Sequence, residues 1–299
     1  MTATTEHATG FGPLAEPLHP DAATSADPDY KDNAYFGFWT HVGTAPVFGE
    51  VHMSTSPNGL RRARIAVTVD DHIIEIDEDC PKGTYTSEHI SFDVAGALSV
   101  DHPDLKVEMT YTPRYQPMNY SPKKLMGATG DHEPIRHYEM GVGVSGTITA
   151  RGETIQVDGL GFRDRSWGFR DESKLWREYL TVWGTFEGFD IAAMKFELMD
   201  GVTVTDGFLN TDEGQRRVTE MNITYDPAGT FHTLRFLLDG TEERIITRRQ
   251  YLGGYWLPMG PQKEEGAPCF HAFDEFAEFD AWGHIGRGIV GYGIQRNIK

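Results

Sequence analysis

The sequence predicts an all-β protein built as two β units of similar size, and three observations predict it. Turn-forming pairs recur every roughly 8–12 residues, the spacing of sandwiches and barrels. Leu105, Val107, Met109 and Tyr111 alternate with Lys106, Glu108, Thr110 and Thr112, a period of two with one face buried and one wet. No window of about 12 or more residues carries the 3.6-residue apolar stripe of a helix.

Residues 1–30 are rich in Ala, Thr, Pro, Asp and Glu without periodicity and read as a mobile tail. Order is expected from Asn33 to Trp39, where aromatic density suits a strand. Val47 to Val51 follows, Asn58-Gly59 signals a hairpin, and Ile65 to Val69 turns at Asp70-Asp71 into Ile73 to Ile76. Residues 113–135 hold four prolines and no periodicity, and read as a long loop of the kind that often serves as a lid. Residues 136–165 form a long hairpin about Ala150-Arg151-Gly152-Glu153, with a second bend at Asp158-Gly159. Lys174 to Trp183 reads as a strand turning at Glu187-Gly188 into Phe189 to Leu198. Asp200-Gly201, Asp206-Gly207 and Asp239-Gly240 separate the strands beyond, before an aromatic run from Phe270 to Phe279 and a last segment from Trp282 to Ile294. The expected units are residues 31–168 and 169–299.

Composition excludes several function classes. A net charge of −18 argues against nucleic-acid or anionic-membrane partners, which need basic patches. The two cysteines, Cys80 and Cys269, make no disulfide framework, so a reducing, cytoplasmic setting is expected. No apolar run approaches the roughly 18–20 residues that span a bilayer, and the N-terminus lacks the basic and apolar regions of a signal peptide. The GxGxxG runs at Gly141 to Gly146 and Gly286 to Gly291 lack the following helix that a dinucleotide site requires, and read as glycines in bent strands. The histidines show no paired metal spacing, although His132, His137, His271 and His284 could converge in space; no metal and no cofactor are expected. Ser166 has no GxSxG context and reads as a hydrogen-bonding turn residue.

Two clusters carry chemistry. The first lies in the charge-rich stretch from Gly161 to Asp171 and is Asp164 with Arg163, Arg165 and Trp167, together with His137-Tyr138-Glu139 upstream. Charges at this density form either an ion-pair knot or the wall of a polar site, because unpaired burial costs several kcal/mol per ion. Arginines beside Asp164 would stabilise its charged form, leaving an orienting group or a base rather than an acid. The second cluster is Trp176, Tyr179, Trp183, Phe186, Phe189 and Asp190. Asp190 reads either as a solvated strand end or as an acid facing an aromatic cavity, where desolvation would keep it protonated. His137 is the alternative proton carrier.

The stretch with Gly161, Asp164, Trp167 and Gly168 resembles a motif of the calycin-like two-domain family of carotenoid 1,2-hydratases, AttH-like proteins and Diels–Alderases, found near the junction of two lipocalin-like units. That resemblance implies two lipocalin-like barrels or sandwiches and cofactor-free chemistry on a large apolar molecule, isoprenoid-, steroid- or polyketide-like, held in a barrel or between the units. In the hydratases histidines flank the motif aspartate, where this chain has Arg163 and Arg165. The expected function is an acid/base hydratase, lyase or isomerase/cyclase, with Asp190, His137 and Asp164 as catalytic candidates. Trp167, Trp176, Tyr179, Trp183, Arg163, Arg165 and Tyr138 are the substrate-binding candidates. The alternative is a non-catalytic carrier of a hydrophobic ligand.

Overall fold

The computed structural model of the chain describes residues 10–19, 30–42, 45–56, 61–123, 125–128, 131–259 and 268–297. The Asn58-Gly59 turn lies outside them. Strands β1 (Tyr30–Val42), β2 (Ala45–Thr55), β3 (Arg61–Val69) and β4 (His72–Cys80) form an antiparallel meander. They are followed by β5 (Ile90–Asp93), β6 (Ala97–His102), β7 (Leu105–Pro113), the two-residue β8 (Met118–Asn119), β9 (Arg136–Ala150) and β10 (Glu153–Phe169). These make one curled half-barrel sheet in the order β4-β3-β2-β1-β10-β9-β7-β6-β5, with β8 beside β9. A single-turn helix α1 (Glu172–Leu175) then leads into β11 (Trp176–Phe186), β12 (Phe189–Leu198), β13 (Thr203–Thr211) and β14 (Gly214–Tyr225). With β15 (Phe231–Leu238), β16 (Glu242–Met259), β17 (Pro268–Ala281) and β18 (His284–Asn297) these close into an eight-stranded barrel. The all-β architecture of two calycin-like units is therefore present. Among the described residues no helix is long and apolar enough to cross a membrane.

Alternation of side chains sorts the core into three layers. Ala34, Phe36 and Phe38 of β1 fill the half-barrel with Val107, Met109 and Ile148. Leu180 and Val182 of β11 fill the barrel with Ile191, Phe236 and Val290. Tyr35 and Trp39 of β1 point the other way and meet Trp183, Phe196 and Phe276 in a third layer between the units. Phe162 of β10 stacks on Trp183 at 5.4 Å across that junction. Each such ring contributes about 1.5–3 kcal/mol of burial, so the layer fixes the units against each other.

Several expected boundaries move. Lys174 belongs to α1, which Asp171 caps by accepting from the Ser173 amide at 3.2 Å. Asp158-Gly159 and Asp206-Gly207 are not turns but lie inside β10 and β13. A Cβ on Gly159 would stand 2.3 Å from the Trp39 carbonyl oxygen, and one on Gly207 2.6 Å from that of Ala192. These glycines admit a neighbouring strand rather than reverse the chain. The 113–135 connection contains β8 and a short 3₁₀ turn, Ser121–Lys123. The division expected at residue 168 falls one residue before the end of β10.

Part of the expected tail is structured. Residues 12–15 form a 3₁₀ turn whose Leu14 is fully buried in the half-barrel. The cause is the arginine pair of β10. Arg165 reaches the carbonyls of Pro13, Glu16 and Pro17, and Arg163 reaches that of Leu14. The rest of the segment expected as a tail, residues 1–9 and 20–29, lies outside the described residues.

Candidate active site

The arginine-rich stretch is both things the sequence allowed, one on each face of β10. Adjacent residues of a strand point to opposite faces. Arg163 and Arg165 project into the half-barrel, and Asp164 and Ser166 project into the layer between the units. Arg165 makes a two-pronged ion pair with Asp32 at 2.9 and 3.1 Å and lies over the rings of Tyr85 and Trp167. Arg163 sits among the rings of Phe92, Tyr111 and Phe11 and donates to the carbonyls of Tyr35 and Val94. The expectation that arginines flank Asp164 in space is corrected: they are its chain neighbours and face away from it. Trp167 and Tyr138 stack on each other on that same far face, with His19 over Trp167, so Trp167 does not pack between the units.

Between the units lies a cavity of about 90 Å³. The sheet contributes Tyr35, His52, His137, Asp164 and Ser166, and Arg170 comes from the link between the units. The barrel contributes an apolar wall, Trp176, Tyr179, Trp183 and Phe196, and one acid, Asp274. The structure thus brings together five of the expected site residues, His137, Asp164, Trp176, Tyr179 and Trp183. It places Arg163, Arg165, Trp167 and Tyr138 elsewhere.

Asp190 corresponds to neither expected reading. It is fully buried yet does not line the cavity. Arg114 donates to its Oδ1 at 2.5 Å and to the Phe186 carbonyl at 2.7 Å. Burial raises the Asp190 carboxyl to about 7 despite that pairing. Phe186 and Phe189 stack on each other at 4.5 Å in the barrel core instead of walling a site. The carboxylate occupies the space a side chain at position 141 would fill, since a Cβ on Gly141 would fall 1.9 Å from Oδ2. The first GxGxxG run therefore serves packing. Gly141→Ala should lower stability by about 1–3 kcal/mol in a denaturant titration, because the pinned carboxylate has nowhere to go. An unchanged midpoint would show that the contact relaxes freely.

Two titrating centres face the cavity. On the sheet, His137 Nε2 hydrogen-bonds Asp164 Oδ2 and stands 3.3 Å from Glu139 Oε1, under the stacked ring of Tyr120. Burial alone would lower His137, but Asp164 and Glu139 outweigh it and raise the imidazolium to about 9. Burial pushes the Glu139 carboxyl up, with His137 opposing. On the barrel, burial raises Asp274 to about 7, with Tyr35 and Arg64 opposing, and the Tyr35 hydroxyl donates to Glu50 Oε2 at 3.2 Å. Glu50, behind Tyr35, is pushed well above the carboxylate range by burial and by Asp274, while Arg64 binds it at 2.6 Å. Two buried carboxyls this close cannot both ionise cheaply, so the pair retains a proton near neutrality. His52 is lowered by burial to about 4 and is neutral.

The residues that sequence reading missed here are Tyr35, Glu50, Arg64 and Asp274. Asp274 stands in the aromatic run 270–279, where period two put it on the face of Phe270, Ala272 and Phe276. That register was the one available signal. Among the described residues, the one group of three ligand-type atoms within 4.8 Å of one another is His137, Glu139 and Asp164; His132, His271 and His284 do not join it. This trio could offer three atoms to a cation, although His137 already bridges the two carboxylates.

No curated protein matches the sequence. Residues 22–241 match a family model described as a domain of unknown function, DUF7064. Among solved structures, an AttH-like protein (NE1406) from Nitrosomonas europaea has a TM-score of 0.62 at 16% identity, covering 93% of this chain and 98% of that one. CghA solved with Sch210972 has a TM-score of 0.61 at 13% identity, covering 97% and 98%. Kievitone hydratase from Nectria haematococca has a TM-score of 0.57 at 11% identity, covering 98% and 95%. At these identities the likeness is one of fold. It is the fold of the two-unit family that the Gly161 to Gly168 stretch resembles.

Proposed function

We propose that this chain, which belongs to the DUF7064 family, is an acid/base enzyme of the hydratase, lyase or isomerase/cyclase type, acting on an apolar molecule bound between its two units. One observation carries the reading. A cationic imidazole from the sheet, His137, and a proton-retaining carboxyl from the barrel, Asp274, line one cavity walled by Trp176, Tyr179 and Trp183. A binding protein needs the wall but has no use for two buried proton carriers, one held cationic and the other held neutral. That one solved relative in fold is a hydratase supports the same class.

In a hydration, Asp274 gives its proton to one carbon of a double bond, water adds to the adjacent carbon, and the proton released from that water returns to the Asp274 carboxylate. Loss of water runs the same steps backwards, and an isomerisation omits the water. His137, held charged by Asp164, polarises an oxygen of the substrate, and Asp164 keeps the ring oriented. Cofactor-free chemistry with the chain's own residues is part of the proposal.

A cavity of about 90 Å³ holds on the order of three waters. An isoprenoid-, steroid- or polyketide-like ligand needs several hundred Å³, so the wall must open to admit it. Met126, from the connection after β8, lines the cavity without belonging to either sheet, and Trp176 Nε1 donates to its carbonyl at 3.2 Å. This is the wall that can move without breaking a strand ladder.

The test is native mass spectrometry of freshly purified protein, extraction of what it carries, and incubation of that molecule with protein in heavy water. An enzyme of this class incorporates deuterium at carbon or changes the ligand by the mass of water. A ligand recovered unaltered and unlabelled after long incubation makes the protein a carrier.

A further inference from the structure

We propose that Arg170 seats an oxygen of the substrate, so that the site takes an apolar skeleton bearing an enolate, phenolate, carboxylate or conjugated carbonyl in preference to a pure hydrocarbon. The inference rests on the reading of the cavity as a substrate site and narrows the class of molecule it admits.

Arg170 is buried at 1% exposure and lines the cavity. One of its terminal nitrogens donates to Ser166 Oγ at 3.0 Å, and its Nε is buried with no hydrogen-bond partner. Among the described residues it forms no ion pair with a carboxylate. The adjacent acid, Glu172, is taken: Lys31 Nζ donates to both its oxygens at 2.8 and 2.9 Å. The other buried arginines of this region are served differently. Arg165 has Asp32, Arg64 has Glu50 and Glu75, and Arg163 has backbone carbonyls and a ring of aromatics. Arg170 alone of these four keeps donor capacity at the cavity wall.

A desolvated guanidinium with unmade hydrogen bonds costs several kcal/mol, and a hydrocarbon filling the cavity would make that cost permanent. An anionic or strongly polarised oxygen relieves it with charge-assisted bonds, the kind a planar guanidinium makes best. His137 and Ser166 line the same cavity, as do the carboxyls of Asp164 and Asp274. Asp164 is engaged by His137 and Asp274 retains its proton, which leaves the guanidinium of Arg170 with free donors. That arrangement also suits the chemistry when a carbonyl is conjugated to the reacting double bond. Water adds at the β-carbon, and Arg170 and His137 hold the enolate oxygen that forms. Asp274 gives its proton to the α-carbon, and the proton lost by the added water returns to the Asp274 carboxylate, so that in such a substrate water addition precedes protonation of carbon.

Two probes of matched shape test it, 4-nitrophenol and 4-nitrotoluene, with phenolate absorbance and tryptophan quenching as readouts. The wild-type protein should bind 4-nitrophenol as the phenolate, at a pH where free 4-nitrophenol is still largely protonated, and more tightly than 4-nitrotoluene. Arg170→Met should weaken phenolate binding by roughly 10- to 100-fold, the worth of a hydrogen bond to a charged group, and leave 4-nitrotoluene binding where it was. Arg170→Lys, which keeps the charge, should recover part of the phenolate affinity and covers the case of a methionine variant that does not fold. Equal binding of the two probes by wild type, equal loss of both in the variants, or binding of neither overturns the seat. These results are independent of the enzyme reading, which is decided by whether the extracted ligand is labelled or altered on incubation with the protein.

Discussion

Replacing Arg165 with alanine should destabilise the protein by about 3–5 kcal/mol, the cost of removing one member of a buried ion pair. For a chain of this size that is a fall in melting temperature on the order of 10 °C. Asp32 is fully buried, and Arg165 supplies two of the hydrogen bonds to its oxygens. Tyr85 and His19 supply others but cannot replace a fixed positive charge. The same guanidinium ties the 13–17 backbone to β10, so the variant also loses the anchor of Leu14 in the half-barrel. The double variant Arg165→Met with Asp32→Leu should regain most of the loss, since it strands no charge. The pair also predicts an acid limb. Burial would raise Asp32, yet His19, Arg165 and Tyr85 together lower it to about 2. Its contribution is complete above its ordinary value near 3.8 and is lost as pH falls through about 2. A melting temperature unmoved by Arg165→Ala would mean that the knot beneath β10 contributes nothing to the fold.

The knot shows where reading a sequence succeeds and fails. Charge density between Gly161 and Asp171 marked the stretch, and the turn residues around it marked strands, because both signals are local. The period-two pattern of β7 predicted its buried and wet faces residue by residue. Applied to β10, the same rule separates Asp164 from its arginine neighbours, which proximity in the chain had joined. Glycines mislead in a different way. Gly159 and Gly207 look like turn residues after aspartate, but each is required by a carbonyl of the adjacent strand, and no local signal distinguishes the two demands. The acid pair is legible only in three dimensions. Glu50 and Asp274 come from different units, and neither sits in a motif. Arg114, which decides the fate of Asp190, lies at the start of a proline-rich connection 76 residues before it. Burial of a titrating group is set by such distant partners.

Asp274→Asn should lower turnover of the native ligand by about 10²–10⁴-fold, the usual worth of general acid–base help, while leaving the fold intact. Asparagine keeps the shape, but it has no acidic proton to give. The pH profile carries the same argument with a sign. Burial raises Asp274 to about 7, so a step that needs its proton declines as pH rises through about 7. Burial opposes and Asp164 favours the charge on His137, which sits at about 9, so polarisation of the substrate fails in a second decline near there. His137→Gln should abolish the second decline and keep the first. Asp190→Asn is the decisive control. Its carboxyl is also raised to about 7, but it faces Arg114 and Gly141 outside the cavity. That variant should change stability and leave the pH dependence of turnover unaltered. If instead Asp190→Asn removes the decline near pH 7 and Asp274→Asn does not, the proton comes from beneath β9, and the cavity described here is not where the reaction occurs.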